Sequence, residues 1–257
     1  MFPPEIFGEI FSFLTSEASV LVTCSQAHPT FAQLIEPTLY AHVIVQNDDA
    51  NLTDGHHLRF KPDQLSALLS DNPRILNYLR SLCVDVSQFG SDDEASKELI
   101  PILPGLKLER IRLTRSYGSS DWRSFPRAFH TAFVACISTP LMKEICVDKV
   151  YHIPLSSFAD CAGLKHLTLS RHATPSSNMS FNFPQLEVLE LSHWRMAGPC
   201  QEVFSWLLTH ACGLRSVTLT TYRNEVMCTF LPRLVAICST SLVNLSIYYA
   251  NLSRSST

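Results

Sequence analysis

Aliphatic residues recur along this chain in one spaced frame, apolar-x-x-apolar-x-apolar. It is met as Leu79–Leu82–Val84, Leu108–Ile111–Leu113, Met142–Ile145–Val147, Leu164–Leu167–Leu169, Leu186–Leu189–Leu191, Leu214–Val217–Leu219 and Leu242–Leu245–Ile247. The alternation inside each frame predicts a short strand with one buried face. Between the frames the apolar spacing changes to three and four, which predicts helices. Pro62 to Ser70 carries Leu65, Leu68 and Leu69, and Trp122 to Ser138 carries Phe125, Phe129, Phe133 and Ile137. Pro199 to Cys212 carries Val203, Trp206, Leu207 and His210, while Glu225 to Ser239 carries Phe230, Leu234 and Ile237. Residues 1–40 have a different texture, with three short amphipathic segments. Pro3–Pro4–Glu5 is a helix-start signal, followed by Ile6, Ile10, Phe13 and Leu14 on one face. Ser16 or Ser19 is placed to cap a second helix through Leu21 and Cys24, and Pro29 opens a third bearing Phe31, Leu34, Ile35 and Leu39. Three such helices enclose little core alone, so they dock on the following domain or on a partner.

The frames start 29, 34, 22, 22, 28 and 28 residues apart, in or near the roughly 20–29-residue period of leucine-rich repeats. Strand and helix alternate as a solenoid of β–α units requires. The asparagine often found after the third leucine is missing, with Ser116, His172, Trp194 and Tyr222 in that general place, so the expected array is irregular and curved. With the frame residues inward, the residue between the second and third faces out. These residues are Cys83, Arg112, Cys146, Thr168, Glu190, Thr218 and Ser246; the next outward set is Asp85, Thr114, Asp148, Ser170, Ser192, Thr220 and Tyr248. Small polar residues with charges of both signs suit a protein-contact surface or a solvated sheet face. Candidate substrate contacts are Arg112, Asp148, Thr168, Glu190, Thr218 and Tyr248. The chain ends at Asn251–Thr257, directly after the last frame and without a visible polar cap, so either the Ser-rich tail covers the open end or the chain is a shortened form.

Pro4-Glu5-Ile6, then Ile10, Phe13-Leu14, a short gap, Leu21 and Cys24 resembles the start of an F-box, especially its fungal form. The tryptophan usual near the end of that motif is replaced by Phe31 as the nearest large aromatic, and the step after the first helix is reduced to Ser16-Glu17. The resemblance covers about the first forty residues. It implies that a Skp-type adaptor docks on these helices and links the chain to a cullin–RING ubiquitin ligase. It places Pro4 and Glu5 at the start of the first helix and Ile6, Ile10, Phe13, Leu14 and Leu21 in the docking face.

Composition narrows the classes. Hydrophobic residues make up 46% and charged residues 17%, the latter below the roughly 25% of an average soluble domain, which excludes global disorder. A net charge of −3 without a basic stripe argues against a nucleic-acid partner. No stretch reaches the roughly 18 apolar residues of a membrane span. The apolar start MFPPEIFGEIFSFL lacks a cationic n-region and contains Glu5 and Glu9, so it is a poor signal peptide. Nine cysteines without a C-x-x-C read as reduced core residues. Asn51, Asn178, Asn244 and Asn251 head N-x-S/T matches of the kind that arise by chance in a Ser/Thr-rich chain. The expected location is cytoplasmic or nuclear.

Catalytic signatures are missing. There is no G-x-x-x-x-G-K-[ST], G-x-G-x-x-G or G-x-S-x-G, and eight glycines leave few tight phosphate loops. The pair His56–His57 has no H-x-x-x-H companion, and the loop Asn47–His57 reads as a solvated turn. Asp92-Asp93-Glu94 reads as an acidic helix start, and Cys200 has no nearby histidine to activate it. The expectation is therefore a non-enzyme with no metal and no cofactor. Its fold is α/β: an F-box-like three-helix module (1–40), a connecting segment (41–78) and a leucine-rich-repeat-like solenoid (79–257). Its expected role is substrate adaptor of an SCF-type ligase, binding a Skp-type subunit, through it a cullin, and an unknown protein substrate. The alternative is a repeat-based interaction module with no ligase link, in which residues 1–40 cap the repeats.

Overall fold

The computed structural model describes residues 4–14, 17–46, 57–87, 89, 94–116, 118–158, 160–170, 185–194, 213–221 and 225–249. The helices are α1 (Pro4–Ser12), α2 (Ala18–Ala27), α3 (Pro29–Leu39), α4 (Pro62–Asp71), α5 (Glu94–Leu99), α6 (Arg127–Ile137) and α7 (Glu225–Cys238). The strands are β1 (His42–Val45), β2 (Leu58–Phe60), β3 (Ser81–Asp85), β4 (Arg110–Thr114), β5 (Ser120–Asp121), β6 (Glu144–Val147), β7 (Val150–Tyr151), β8 (His166–Ser170), β9 (Val188–Trp194), β10 (Ser216–Thr221) and β11 (Asn244–Tyr249). Nine strands form one parallel sheet in the order β11-β10-β9-β8-β6-β4-β3-β1-β2, and β5 pairs with β7 separately.

This overturns the expected architecture. The chain is not a short helical module followed by a leucine-rich-repeat-like solenoid; it is an α/β protein on a nine-stranded parallel sheet with seven described α-helices, a Rossmann-like arrangement of alternating strand and helix. Two strands of the sheet, β1 and β2, lie inside the stretch read as a connector. The reason is length. His42–Val45 and Leu58–Phe60 have four and three residues and carry no full frame, yet Val43, Val45 and Leu58 are buried. Alternation over so few residues is too weak a signal to read without the neighbouring strand.

The chain divides into two compact units. Unit 1 comprises residues 1–112 and 126–136, and unit 2 comprises 113–125 and 137–257. In unit 1 the local chemistry explains each helix start. Pro4 and Pro29 open α1 and α3, where the missing N–H has no intrahelical partner to lose. His28 caps α3, its Nδ1 accepting from the Thr30 N–H at 3.1 Å. Helix α4 begins at Pro62, with Gln64 Oε1 reaching back to the Lys61 N–H at 3.0 Å, half of a capping box. The cap of α2 differs from expectation: Glu17 occupies the position without a side-chain bond, and Ser19 lies inside the helix. Phe11, Ala18, Leu21, Ile35, Leu39 and Leu58 form the buried centre of the helical region. Phe31 packs on Phe7 and Phe11 at centroid distances of 4.9 and 5.7 Å, a tilted and an edge-on contact that join α1 to α3. Further along, Phe129 of α6 meets Phe89 edge-on at 5.1 Å.

In unit 2 one apolar row runs from strand to strand, and the β9–β10 register shifts only beyond Leu219. Ile145 pairs with Leu167, Leu167 with Leu189, Leu189 with Val217 and Val217 with Leu245. The first four residues of that row are fully buried, whereas Leu245 on the edge strand is exposed. Gly163 permits a close chain approach: a Cβ there would lie 2.6 Å from the Pro140 carbonyl oxygen. The strands β5 and β7 are held by Asp121, whose carboxylate accepts from Arg123 Nη2 at 2.7 Å and lies 3.1 Å from His152 Nδ1. The Arg123 bond above all holds the Asp121 carboxyl well below the usual carboxylate range. Lys149 and His152, at either end of β7, adopt left-handed φ angles of 59° and 58°.

Truncating the centre of the helical region tests this packing. Leu21→Ala removes a fully buried side chain and is expected to destabilise the folded state by about 2–5 kcal/mol, read as a lower urea midpoint by far-UV circular dichroism.

Candidate functional site

The helical residues singled out from the sequence separate into two groups. Ile6, Ile10 and Phe13 follow at spacings of four and three, so they share one stripe along α1 and the turn after it. That stripe faces solvent: Ile6 is 42% exposed, Ile10 48% and Phe13 79%. Phe7 and Phe11, on the other side, are turned into the aromatic cluster with Phe31. Leu14 is half-buried against the same cluster. Leu21 is 1% exposed and belongs to the centre of the core, so its place in the docking face is corrected. It sits on α2 one turn from Ala18, and that side of α2 is the one packed inward. Pro4 and Glu5 form the first turn of α1; their side chains lie outside the described residues.

The residues proposed from strand alternation fall on the polar side of the sheet. In unit 1, Cys83 pairs with Ile44 and Ile44 with Arg59, and the Arg112 charge acts on Cys83. Arg112 is exposed. In unit 2, Cys146, Thr168, Glu190, Thr218 and Ser246 are register partners in one row across β6, β8, β9, β10 and β11. Thr168, Glu190, Thr218 and Asp148 are half-buried, and Tyr248 is exposed on the edge strand.

Two of these side chains are wired to a third, His166. The Thr168 hydroxyl donates to Glu190 Oε2 at 3.1 Å and lies 3.3 Å from His166 Nε2, while His166 Nε2 is 3.6 Å from Glu190 Oε1. His166 lies outside the outward positions of the sequence reading, which start at the residue between the second and third frame positions and run onward from there. The same alternation places His166, two residues before Thr168, on the same face. Asp85 departs from the expected outward row. It is buried, and its Oδ1 accepts from the N–H and hydroxyl of Ser87, so it closes the turn after β3.

Burial pushes the Cys136 thiol up to about 12 and raises that of Cys83, which leaves both protonated at neutral pH. No group of three or more metal-ligating side chains occurs among the described residues. No described helix is long and apolar enough to cross a membrane. His56, Cys200, Asp92 and Asp93 lie outside the described residues, as does the helix expected over 199–212. No family model matches this chain, and no curated protein does either.

His42, at the start of β1, responds to pH. Burial first, then the charges of Arg110 and His57, lowers its pKa below the ordinary 6.5. The native state therefore takes up this proton later than the unfolded chain as pH falls. Stability from His42 is present above about pH 6.5 and is lost as pH drops from there toward the depressed native value. The urea midpoint of the wild type is expected to fall more between pH 7.5 and pH 5 than that of His42→Gln. Equal falls would refute the assignment.

Proposed function

We propose that this chain is the substrate-recognition adaptor of a cullin–RING ubiquitin ligase. It binds a Skp-type subunit through α1 and the following turn, reaches a cullin through that subunit, and holds a protein substrate on the polar face of its sheet. The observation that carries this reading is the solvent-facing stripe Ile6–Ile10–Phe13, within the segment that resembles an F-box. Apolar side chains aligned on one helix face lose their contact with water when a partner helix covers them, at roughly 25 cal/mol for each Å² removed. Helices α1–α3 already pack on an aromatic and aliphatic core that includes Leu58 of β2, so the stripe is spare surface. The polar row through Thr168, Glu190 and Thr218 offers donors and acceptors of the kind that confer specificity in a protein contact. An adaptor of this sort performs no bond chemistry; tethering raises the local concentration of substrate at the ligase.

The test is binding of the purified chain to a fungal Skp-type adaptor by calorimetry, with Ile10→Asp and Phe13→Asp as variants. One-to-one binding by the wild type is expected, weakened at least about tenfold by each charge while the melting curves stay unchanged. A folded wild-type chain that does not bind, or variants that bind as tightly, would refute the reading.

A further inference from the structure

The outward positions of the unit 1 strands are rich in cations. Arg59 of β2, Ile44 of β1 and Cys83 of β3 are register partners in one row. The charge of Arg112, on the next strand β4, acts on Cys83 together with that of Arg59. Arg110 shares the outward side of β4 with Arg112, while Ile111 between them is buried. Both arginines are exposed. Arg110 rests against His42 of β1, its Nη2 lying 3.2 Å from Nδ1 and 3.3 Å from Nε2, and the His57 ring stands 5.9 Å from that of His42. The unit 1 carboxylates Glu36, Glu109 and Asp85 are engaged elsewhere, with Arg74, Arg80 and Ser87 respectively. Neither Arg110 nor Arg112 forms an ion pair with a carboxylate among the described residues.

We propose that this face of unit 1 binds an acidic peptide segment, whose Asp or Glu side chains pair with Arg110 and Arg112. The proposal rests on the reading that the polar side of the sheet holds a protein substrate, and it adds the chemistry of the segment that reaches unit 1. A guanidinium presents paired donors in fixed geometry, which match the two oxygens of a carboxylate. Residues two apart on a strand lie about 7 Å from each other, and an extended peptide has the same repeat, so alternate acidic residues meet the two arginines in turn. The whole chain carries a net charge of −3, so its overall field repels a polyanion and the attraction is local to this cluster. A nucleic acid needs basic groups that follow its phosphates along a longer track. In unit 2 the outward positions hold Glu144, Asp148 and Glu190 instead, which gives an acidic segment no reason to settle there.

The probe is a fluorescein-labelled peptide of alternating Glu and Ser, with alternating Gln and Ser as its neutral counterpart. Binding is read by fluorescence polarisation on the free chain without a Skp-type adaptor, and by the ring resonances of His42. The Glu peptide is expected to bind saturably and shift the His42 ring, with the Gln peptide at least about tenfold weaker. The double variant Arg110→Gln, Arg112→Gln changes exposed side chains, so the fold survives; it should weaken the Glu peptide about fivefold or more. Arg233→Gln, which removes an exposed charge from α7 in unit 2, should leave the affinity unchanged. No saturable binding of the Glu peptide, equal affinity for the Gln peptide, unaltered affinity in the double variant or an equal loss in Arg233→Gln would each overturn the proposal. So would an oligothymidylate that binds more tightly than the Glu peptide and loses affinity in the same double variant, since the partner would then be a nucleic acid. Loss of peptide binding leaves docking of a Skp-type adaptor on α1 intact, and loss of that docking leaves the peptide result standing, so the two readings fall separately.

Discussion

Parallel strands impose one constraint on which the rest of this molecule depends: each must return to the same end before pairing, and each must hide one face. The chain meets it with side chains that alternate at every strand. In unit 2 the row Ile145, Leu167, Leu189 and Val217 is buried, and its neighbour Cys146, Thr168, Glu190 and Thr218 is polar or small. A slip of one residue in any pairing would put Glu190 among the leucines and Leu189 in water. The cost of burying an unpaired carboxylate is several kcal/mol, so register and face are specified together. Helices then have a fixed apolar surface on which to settle, and strand ends such as His42 have fixed neighbours.

The same constraint decides where function can reside. Residues that complete the buried rows are committed to packing, which leaves the polar rows and the spare side of α1. On the sheet, Thr168 ties His166 and Glu190 into one hydrogen-bonded group, so these side chains are ordered before any partner arrives. On α1 the aromatic contacts of Phe7 and Phe11 with Phe31 fix the helix so that Ile6, Ile10 and Phe13 project outward. Pre-ordering of this kind lowers the entropy lost on association. Burial holds the thiols of Cys83 and Cys136 protonated.

Much of the local structure was legible. The seven aliphatic frames coincide with β3, β4, β6, β8, β9, β10 and β11, and the Pro62 and Glu225 helix starts with α4 and α7. The segment from Trp122 splits into a short 3-10 turn and then α6, because Pro126 cannot supply the N–H a continuous helix needs there. The solenoid inference went too far. A spacing of 22 to 34 residues between strands records a β–α alternation, and that alternation is common to every parallel α/β sheet. Strands as short as β1 and β2 leave no comparable trace, although they belong to the same sheet.

The sequence by itself determined where the seven framed strands and the helices α1–α4, α6 and α7 lie and which side of each framed strand is apolar, because those follow from residue spacing and from the chemistry of prolines and caps. Only the tertiary structure decided that Leu21 is core while Phe13 faces water, that His166 joins Thr168 and Glu190, and that Arg110 lies against His42. The physical reason is range. Periodicity reports a face that must be covered by something within a turn or two of chain. Which element covers it, and which residues are left over, depends on contacts between positions as distant as His42 and Arg110, for which local spacing carries no record.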